Sequence, residues 1–161
     1  MRAAALLFAL VLAGCSFGGN SGPAPLVGAP PAAQGLVDAR DPELISNEAW
    51  RYGKAQWLKD VMGDPLIRAD WDGEPYEIWF YGCKGAKDCR DLRFVARREG
   101  GPGPSEIAEW NASHRFGKLA RRDDGLMEVQ MNVTLAGGVS PQNLTAVFDS
   151  WGVVLAQFRA I

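Results

Sequence analysis

Three successive stretches of the chain alternate apolar and polar residues with a period of two, and this alternation constrains its fold most strongly. The stretches cover residues 67–71, 76–81 and 92–97. A period of two places every second side chain on the same face of a β-strand. Asp72-Gly73 lies between the first two stretches and is typical of a hairpin turn. The sequence therefore predicts adjacent antiparallel strands.

Further strands are predicted on both sides of this group. Residues 54–60 fit either a helical face or a strand, and we favour the strand because the turn Gly63-Asp64-Pro65 follows. After a second hairpin turn at Asp124-Gly125, residues 127–134 alternate between apolar and polar side chains. This pattern indicates a strand with one covered face and one wetter face.

Three helices are predicted around these strands. Asp41 and Pro42 begin the first, which continues to about Tyr52, and Ser105 is a candidate cap for the second. Ser140 and Pro141 begin a long third helix with apolar residues at helical spacing. The order predicts an α+β domain with an antiparallel sheet of about five to six strands and three helices.

The first 14 residues have the order of an export signal: Arg2, an apolar core, and small residues before Cys15. The apolar core is shorter than the roughly 20 residues that span a bilayer. Leu12-Ala13-Gly14-Cys15 resembles the lipobox of bacterial lipoproteins. The resemblance implies cleavage after Gly14, a diacylglyceryl group on Cys15 and usually a further acyl chain such as palmitate. The alternative is a plain secreted protein in which Cys15 is incidental.

Residues 15–35 are predicted to be a lipidated cysteine and a tether, and residues 36–161 a single domain. Gly, Pro, Ala and Ser dominate Ser16–Gln34, so this stretch cannot bury enough apolar surface to order itself. A flexible segment of this length reaches roughly 22 to 27 Å. We therefore expect a domain held close to the cell envelope, at the periplasmic face of the outer membrane in a host with two membranes.

Charge excludes one class of partner. Removing the signal takes away one basic residue, so the net charge changes from −2 to about −3. A mildly acidic protein has no electrostatic footprint for nucleic acid. We expect the partners to be the membrane, through the lipid on Cys15, and a protein or a second copy of the chain.

Cys83 and Cys89 lie at the two ends of the loop between two predicted strands. In an exported protein this placement favours a disulfide, which would restrict the unfolded chain by roughly 2 to 2.5 kcal/mol. Two free thiols are the alternative. Redox catalysis would need the tighter Cys-x-x-Cys spacing, and zinc about four ligands. We therefore expect no metal site and no cofactor.

Four groups of residues, read in chain order, carry a family resemblance. They are Gly63-Asp64-Pro65-Leu66-Ile67, Phe80-Tyr81-Gly82-Cys83, Trp110-Asn111 with Arg115-Phe116-Gly117-Lys118, and Ala136-Gly137-Gly138-Val139-Ser140 with Trp151 and Phe158. Together they resemble the YbjN family, bacterial domains described as sensory transduction regulators, over roughly residues 36–159. The resemblance implies a fold similar to type III secretion chaperones, which bind partner polypeptides, and implies no catalytic or cofactor-binding residue. Arg121-Arg122 departs from the family pattern and predicts a local basic spot.

The strand at residues 76–81 carries large side chains on both faces. One face must meet the helices. The other face carries Trp79 and Tyr81, and if it is exposed it suits polypeptide binding or dimerisation. The alternative is that a second helix covers it.

No residue pattern indicates catalysis. His114 is the only histidine, near a predicted helix end, and no serine lies in a Gly-x-Ser-x-Gly turn. Gly137–Pro141 lacks the lysine and spacing of a phosphate-binding loop. We therefore expect a non-enzymatic, membrane-anchored envelope lipoprotein that binds a protein or acts as a regulatory module. A structural lipoprotein, a small-ligand-binding protein and a hydrolase are the alternatives.

Overall fold

The computed structural model describes residues 35–161, which form three helices and one six-stranded antiparallel sheet. The predicted α+β fold is confirmed, and residues 54–60 contain a strand, as favoured. The elements are α1 (Pro42–Trp50), β1 (Ala55–Lys59), β2 (Pro65–Trp71), β3 (Glu74–Tyr81), β4 (Asp91–Arg98), α2 (Pro104–Ser113), β5 (Lys118–Arg121), β6 (Met127–Thr134) and α3 (Pro141–Arg159).

The strands lie in the order β1-β2-β3-β4-β6-β5, so the last two exchange places relative to the chain. Turns link the first four strands as a meander, whereas α2 carries the chain past β6 to the edge. All eight residues of β6 pair with β4, but only Met127–Gln130 pair with the short β5. The outer edge of residues 131–134 therefore has no strand partner within residues 35–161.

Polar side chains cap α1 and α3, because the first amides of a helix have no partner within it. Asp41 Oδ1 accepts a hydrogen bond from Leu44 N at 2.9 Å. Ser140 Oγ accepts one from Asn143 N at 3.1 Å. Both helix starts are as the sequence predicted.

The prediction that Ser105 caps α2 is wrong. Gly103 occupies the cap position, and Pro104 is the first helical residue. The Glu106 carboxylate accepts a hydrogen bond from Gly103 N at 2.9 Å, so a side chain inside the helix satisfies the amide before it. Proline suits the first helical position because its fixed φ is already helical.

All three helices cover the same face of the sheet, which we call the helix face. Phe94 of β4 meets Phe148 of α3 edge-on at 5.2 Å between ring centroids, and Trp151 at 5.5 Å. All three side chains are fully buried. Each contributes about 1.5–3 kcal/mol by burial, and each ring pair about 0.5–1.5 kcal/mol more. The core therefore lies between α3 and the middle of the sheet.

The described chain joins the sheet at one end, through Val37. The backbones of Val37 and Val139 exchange two hydrogen bonds of 2.8 Å. Leu135 N donates to Arg90 O at 2.9 Å nearby, where β6 ends and β4 begins. Because neighbouring strands alternate in direction, the β1-β2 turn and the loop at residues 82–90 lie at this end too. We call it the Val37 end.

Candidate interaction surface

The sheet face opposite the helices, which we call the open face, carries the outward side chains of all six strands. Each helix of residues 35–161 buries its apolar residues on the other face, so none covers this one. Two apolar residues of the open face, Leu66 and Val95, are nevertheless only 3% and 2% exposed. The covering helix considered above is therefore not found within residues 35–161, and long side chains of the face cover their own neighbours.

Charged side chains of alternating sign cross the open face, a row that we call the ion-pair ladder. Its contacts are Arg68 Nε to Glu77 Oε1 at 3.2 Å, Arg97 Nη1 to Glu77 Oε2 at 2.8 Å, Arg97 Nε to Glu128 Oε2 at 2.7 Å, Arg122 Nη1 to Glu128 Oε2 at 3.3 Å, and Arg122 Nε to Asp124 Oδ2 at 3.1 Å. Strand register explains two of the contacts, since Arg68 is paired with Glu77 and Arg97 with Glu128. Opposite charges directly across a strand pair stabilise the pairing.

Glu77 is the centre of the ladder. Its carboxylate accepts hydrogen bonds from Arg97, Arg68 and the indole Nε1 of Trp79, the last at 3.1 Å. Burial by itself raises the pKa of this carboxyl, but the hydrogen bonds from Arg97, Arg68 and Trp79 outweigh it. The pKa of Glu77 is therefore held below its ordinary value of 4.5. The charged form persists at neutral pH and orients the Trp79 indole.

The structure places both residues of the predicted partner surface on the open face. Trp79 is half-buried and lies opposite Arg93 in the register of β3 and β4. Tyr81 is 41% exposed, and the Arg93 guanidinium lies 4.7 Å from the centre of its ring. This distance is within the range of cation-π attraction. The open face is thus a mixed surface of Trp, Tyr and Arg side chains beside the ion-pair ladder.

Both arginines of the predicted basic spot at Arg121-Arg122 are engaged by the chain, but only Arg122 is paired with carboxylates. The Arg121 guanidinium donates to backbone carbonyls, including Pro102 O at 2.9 Å and Gly125 O at 3.0 Å. Arg122 belongs to the ion-pair ladder through Asp124. Arg121 therefore ties the connection after β4 to the β5-β6 turn, at the sheet end opposite the Val37 end.

The predicted disulfide between Cys83 and Cys89 is present. Cys89 is 3% exposed and belongs to the hydrophobic core cluster. Within the closed loop, Lys84 and Lys87 exchange backbone hydrogen bonds of 2.6 and 3.1 Å. The bond joins the end of β3 to the start of β4 at the Val37 end.

His114 ends α2 and contacts a serine, but the contact does not form a catalytic pair. The imidazole stacks on Trp110 with 4.2 Å between ring centroids, and its Nδ1 lies 2.8 Å from the Trp110 carbonyl oxygen. Because a carbonyl oxygen can only accept, Nδ1 carries the proton in this contact. It cannot then take the proton of Ser113 Oγ, 3.1 Å away, which itself donates to Glu109 O at 2.9 Å.

A groove of about 660 Å³ lies between α3 and the unpaired edge of β6. We call it the α3–β6 groove. Phe116, Met131 and Val147 give it apolar walls, and Arg115 is the charged residue of its lining. The volume falls in the range of small-molecule sites. The sequence did not indicate this groove, because it depends on the exchanged positions of β5 and β6.

The predicted lipidation site Cys15 lies outside the described residues. Within residues 35–161, no helix is both long and apolar enough to cross a membrane. In the same part of the chain, no three His, Cys, Asp or Glu side chains are grouped closely enough to hold a metal ion.

A protein-family model matches most of the chain. The YbjN model, described as "Putative bacterial sensory transduction regulator", matches residues 43–160, which is well over half of the chain. No curated protein matches the chain, and no solved structure does. The match extends from α1 to the end of α3 and so includes every strand of the sheet. The chain therefore belongs to the YbjN family.

Proposed function

We propose that this chain is a non-enzymatic, lipid-anchored protein of the bacterial cell envelope whose YbjN domain binds a protein partner through the open face. The observation that carries the proposal is that no helix of residues 35–161 covers this face, yet hydrogen bonds hold its side chains in place. A surface whose side chains are already ordered loses little conformational entropy on binding. The family description as a regulator is consistent with a role exerted through a partner.

The chemistry of the open face supports a protein as the bound partner. Aromatic residues and arginine are enriched at the centres of protein interfaces, and Trp79, Tyr81 and Arg93 lie together here. Glu77 and Arg97 provide fixed charges beside them, and fixed charges select complementary partners and set their register. The aromatic residues would provide most of the affinity for the partner, and the ion-pair ladder would determine which partner binds.

The other two parts of the proposal rest on different observations. The anchor is supported by the lipobox-like Leu12-Ala13-Gly14-Cys15. The non-enzymatic role is supported by the His114 contacts, because its Nδ1 proton is directed at a carbonyl and is unsuited to activating Ser113.

A second candidate function, binding of a small apolar ligand, is favoured by the α3–β6 groove. Its apolar walls and single lining cation, Arg115, would suit a ligand with one acidic group. This ligand would not need the open face, so the two functions can be separated by position.

Photo-crosslinking in living cells tests the proposal. A photoreactive amino acid replaces Tyr81, which is 41% exposed, or Phe116, which is 39% exposed and lines the α3–β6 groove. Val153, 51% exposed on α3, is the control position. We expect a discrete protein adduct from position 81 that positions 116 and 153 do not give, and its mass distinguishes a second copy from another protein. An adduct from position 116 alone, or none from position 81, overturns binding through the open face.

A further inference from the structure

The two most exposed large apolar side chains of residues 35–161 are neighbours in one turn. Val61 is 99% exposed and Met62 is 81% exposed, at the tip between β1 and β2. Single apolar residues on a surface need no explanation, whereas two adjacent ones, almost fully exposed in one turn, form a candidate contact site. Turns normally use polar residues and glycine, so the apolar pair is not explained by the turn itself.

The turn holds this pair outward by a closed set of hydrogen bonds. Asp60 Oδ1 accepts from Met62 N at 2.8 Å and from Asp64 N at 2.9 Å. The backbone adds Asp60 N to Asp64 O at 2.8 Å and Gly63 N to Asp60 O at 3.1 Å. Gly63 adopts a φ of +88°, which few other residues tolerate. These hydrogen bonds therefore hold a turn conformation in which Val61 and Met62 are directed outward.

The tip lies at the Val37 end, where the chain preceding the described residues is attached. Ala39 and Gly63 line one pocket together with Trp57, which shows that the start of the domain and the β1-β2 turn are close. Cys15 and Gly35 are twenty residues apart, so an acyl group on Cys15 keeps Gly35 within about 66–72 Å of the bilayer surface. The Val37 end is thus the end of the domain to which the proposed anchor is joined.

Tryptophan and lysine side chains around the tip are of types that favour a bilayer interface, although Asp60 and Asp64 add two carboxylates to the tip itself. Trp57 is 41% exposed, and tryptophan favours the boundary between hydrocarbon and head groups. Lys59, Lys84 and Lys87 are exposed at the same end and can meet lipid phosphates, while Asp88 is paired with Arg40 at 3.7 Å.

We infer that the Val37 end faces the bilayer and that Val61 and Met62 insert among the lipid head groups. The inference rests on the proposed lipid anchor. Insertion at one end would fix the orientation of the domain, with its strands standing upright on the membrane and the open face exposed sideways to partners. The lipid on Cys15 would attach the domain to the membrane, and insertion of Val61 and Met62 would set its orientation.

Methionine photo-crosslinking in vesicles tests this orientation. A full-length Met127→Leu, Met131→Leu chain leaves Met62 as the sole methionine after residue 1, and leucine conserves core volume at both sites. A diazirine analogue of methionine is incorporated, and the acylated chain is reconstituted into phosphatidylethanolamine and phosphatidylglycerol vesicles. The matched control adds Met62→Leu and Asp123→Met, which moves an exposed methionine to the β5-β6 turn at the opposite end. Circular dichroism verifies that both chains fold.

We expect lipid adducts on the peptide that contains position 62 and their loss when the methionine moves to position 123. Equal lipid labelling at both positions, labelling of protein instead of lipid at position 62, or no labelling there overturns the orientation. The mass of the peptide that contains Cys15 shows independently whether this cysteine is acylated, and so tests the anchor separately. A chain without acyl mass overturns the anchor and the orientation together, whereas an acylated chain without adducts at position 62 overturns the orientation alone.

Discussion

Arg97 reaches diagonally between strands to Glu77, with 2.8 Å between its Nη1 and Oε2 of the carboxylate. The residue directly opposite Glu77 is not Arg97 but Val95, which is only 2% exposed on the open face. The diagonal pair therefore lies beside an apolar side chain and helps to keep water from it. One contact contributes both to the charge pattern of the open face and to its stability.

Exchanging Glu77 for glutamine should destabilise the domain by about 1–3 kcal/mol, because the Arg97 and Arg68 guanidiniums lose their shared acceptor charge. Chemical unfolding of Glu77→Gln, Arg97→Gln and the double variant measures the coupling, for which we expect about 0.5–2 kcal/mol. Arg115→Gln is the control on an exposed arginine and should change stability by less than about 0.5 kcal/mol. Additive effects of the two ladder variants would show that the pair does not act as a unit.

The same carboxylate predicts how stability depends on pH. The pKa of Glu77 is lower in the folded chain than its ordinary value of 4.5, despite the opposing effect of burial, because of the hydrogen bonds from Arg97, Arg68 and Trp79. A depressed folded pKa contributes stability above the unfolded pKa and loses it as pH falls through the folded pKa. The free energy of unfolding should therefore fall less between pH 6 and pH 3 for Glu77→Gln than for the unaltered chain. Parallel pH profiles would rule out this linkage.

Gly152→Ala should destabilise the domain. In a helix interior, replacing glycine with alanine normally stabilises the helix by about 1 kcal/mol, so the expected loss has to come from packing. A Cβ at this position would lie 2.6 Å from the indole of Trp71, which stacks on Tyr52 at 4.2 Å between ring centroids and cannot easily move. We expect a net loss of about 1–3 kcal/mol by thermal or chemical unfolding. Val153→Ala, at the next and exposed position of α3, should be neutral or slightly stabilising. Equal gains at both positions would be incompatible with this packing.

Replacing Cys83 and Cys89 together with alanine, which buries no polar group at the core position 89, should lower the free energy of unfolding by roughly 2 to 2.5 kcal/mol, because the unfolded chain regains the freedom of a short loop. Urea unfolding of the oxidised chain and the double variant gives the difference. The unaltered chain in reductant should match the variant. A double variant as stable as the oxidised chain would mean that the loop does not depend on its bond.

The sequence predicted the elements well where a local pattern determines them. Asp41 and Ser140 cap their helices because the capping hydrogen bond involves residues three positions apart. The cap of α2 was wrong because Glu106 satisfies the amide of Gly103 from inside the helix, so the preceding residue needs no polar side chain. The position of β6 between β4 and β5 depends on which strand offers the longer pairing, and a local pattern does not contain that information.

The open face was predictable in part. Alternation placed Trp79 and Tyr81 on the face opposite Tyr76 and Phe80. It did not predict the contacts of Trp79 with Glu77 or of Tyr81 with Arg93. The ion-pair ladder was missed, although its signal is in the sequence: Arg68, Glu77, Arg97 and Glu128 all occupy outward positions of predicted strands. The signal becomes readable only with the strand register, which brings residues as far apart as Arg97 and Glu128 to 2.7 Å.

The most direct test of binding through the open face is hydroxyl-radical footprinting of the full-length chain in native membranes and after purification and dilution in detergent. Tyr81 and Phe116 are matched aromatic probes, 41% and 39% exposed, on the open face and in the α3–β6 groove. We expect oxidation of Tyr81 to be suppressed in membranes and restored on purification, while oxidation of Phe116 stays the same. Equal oxidation of Tyr81 in the two preparations would contradict a partner on the open face.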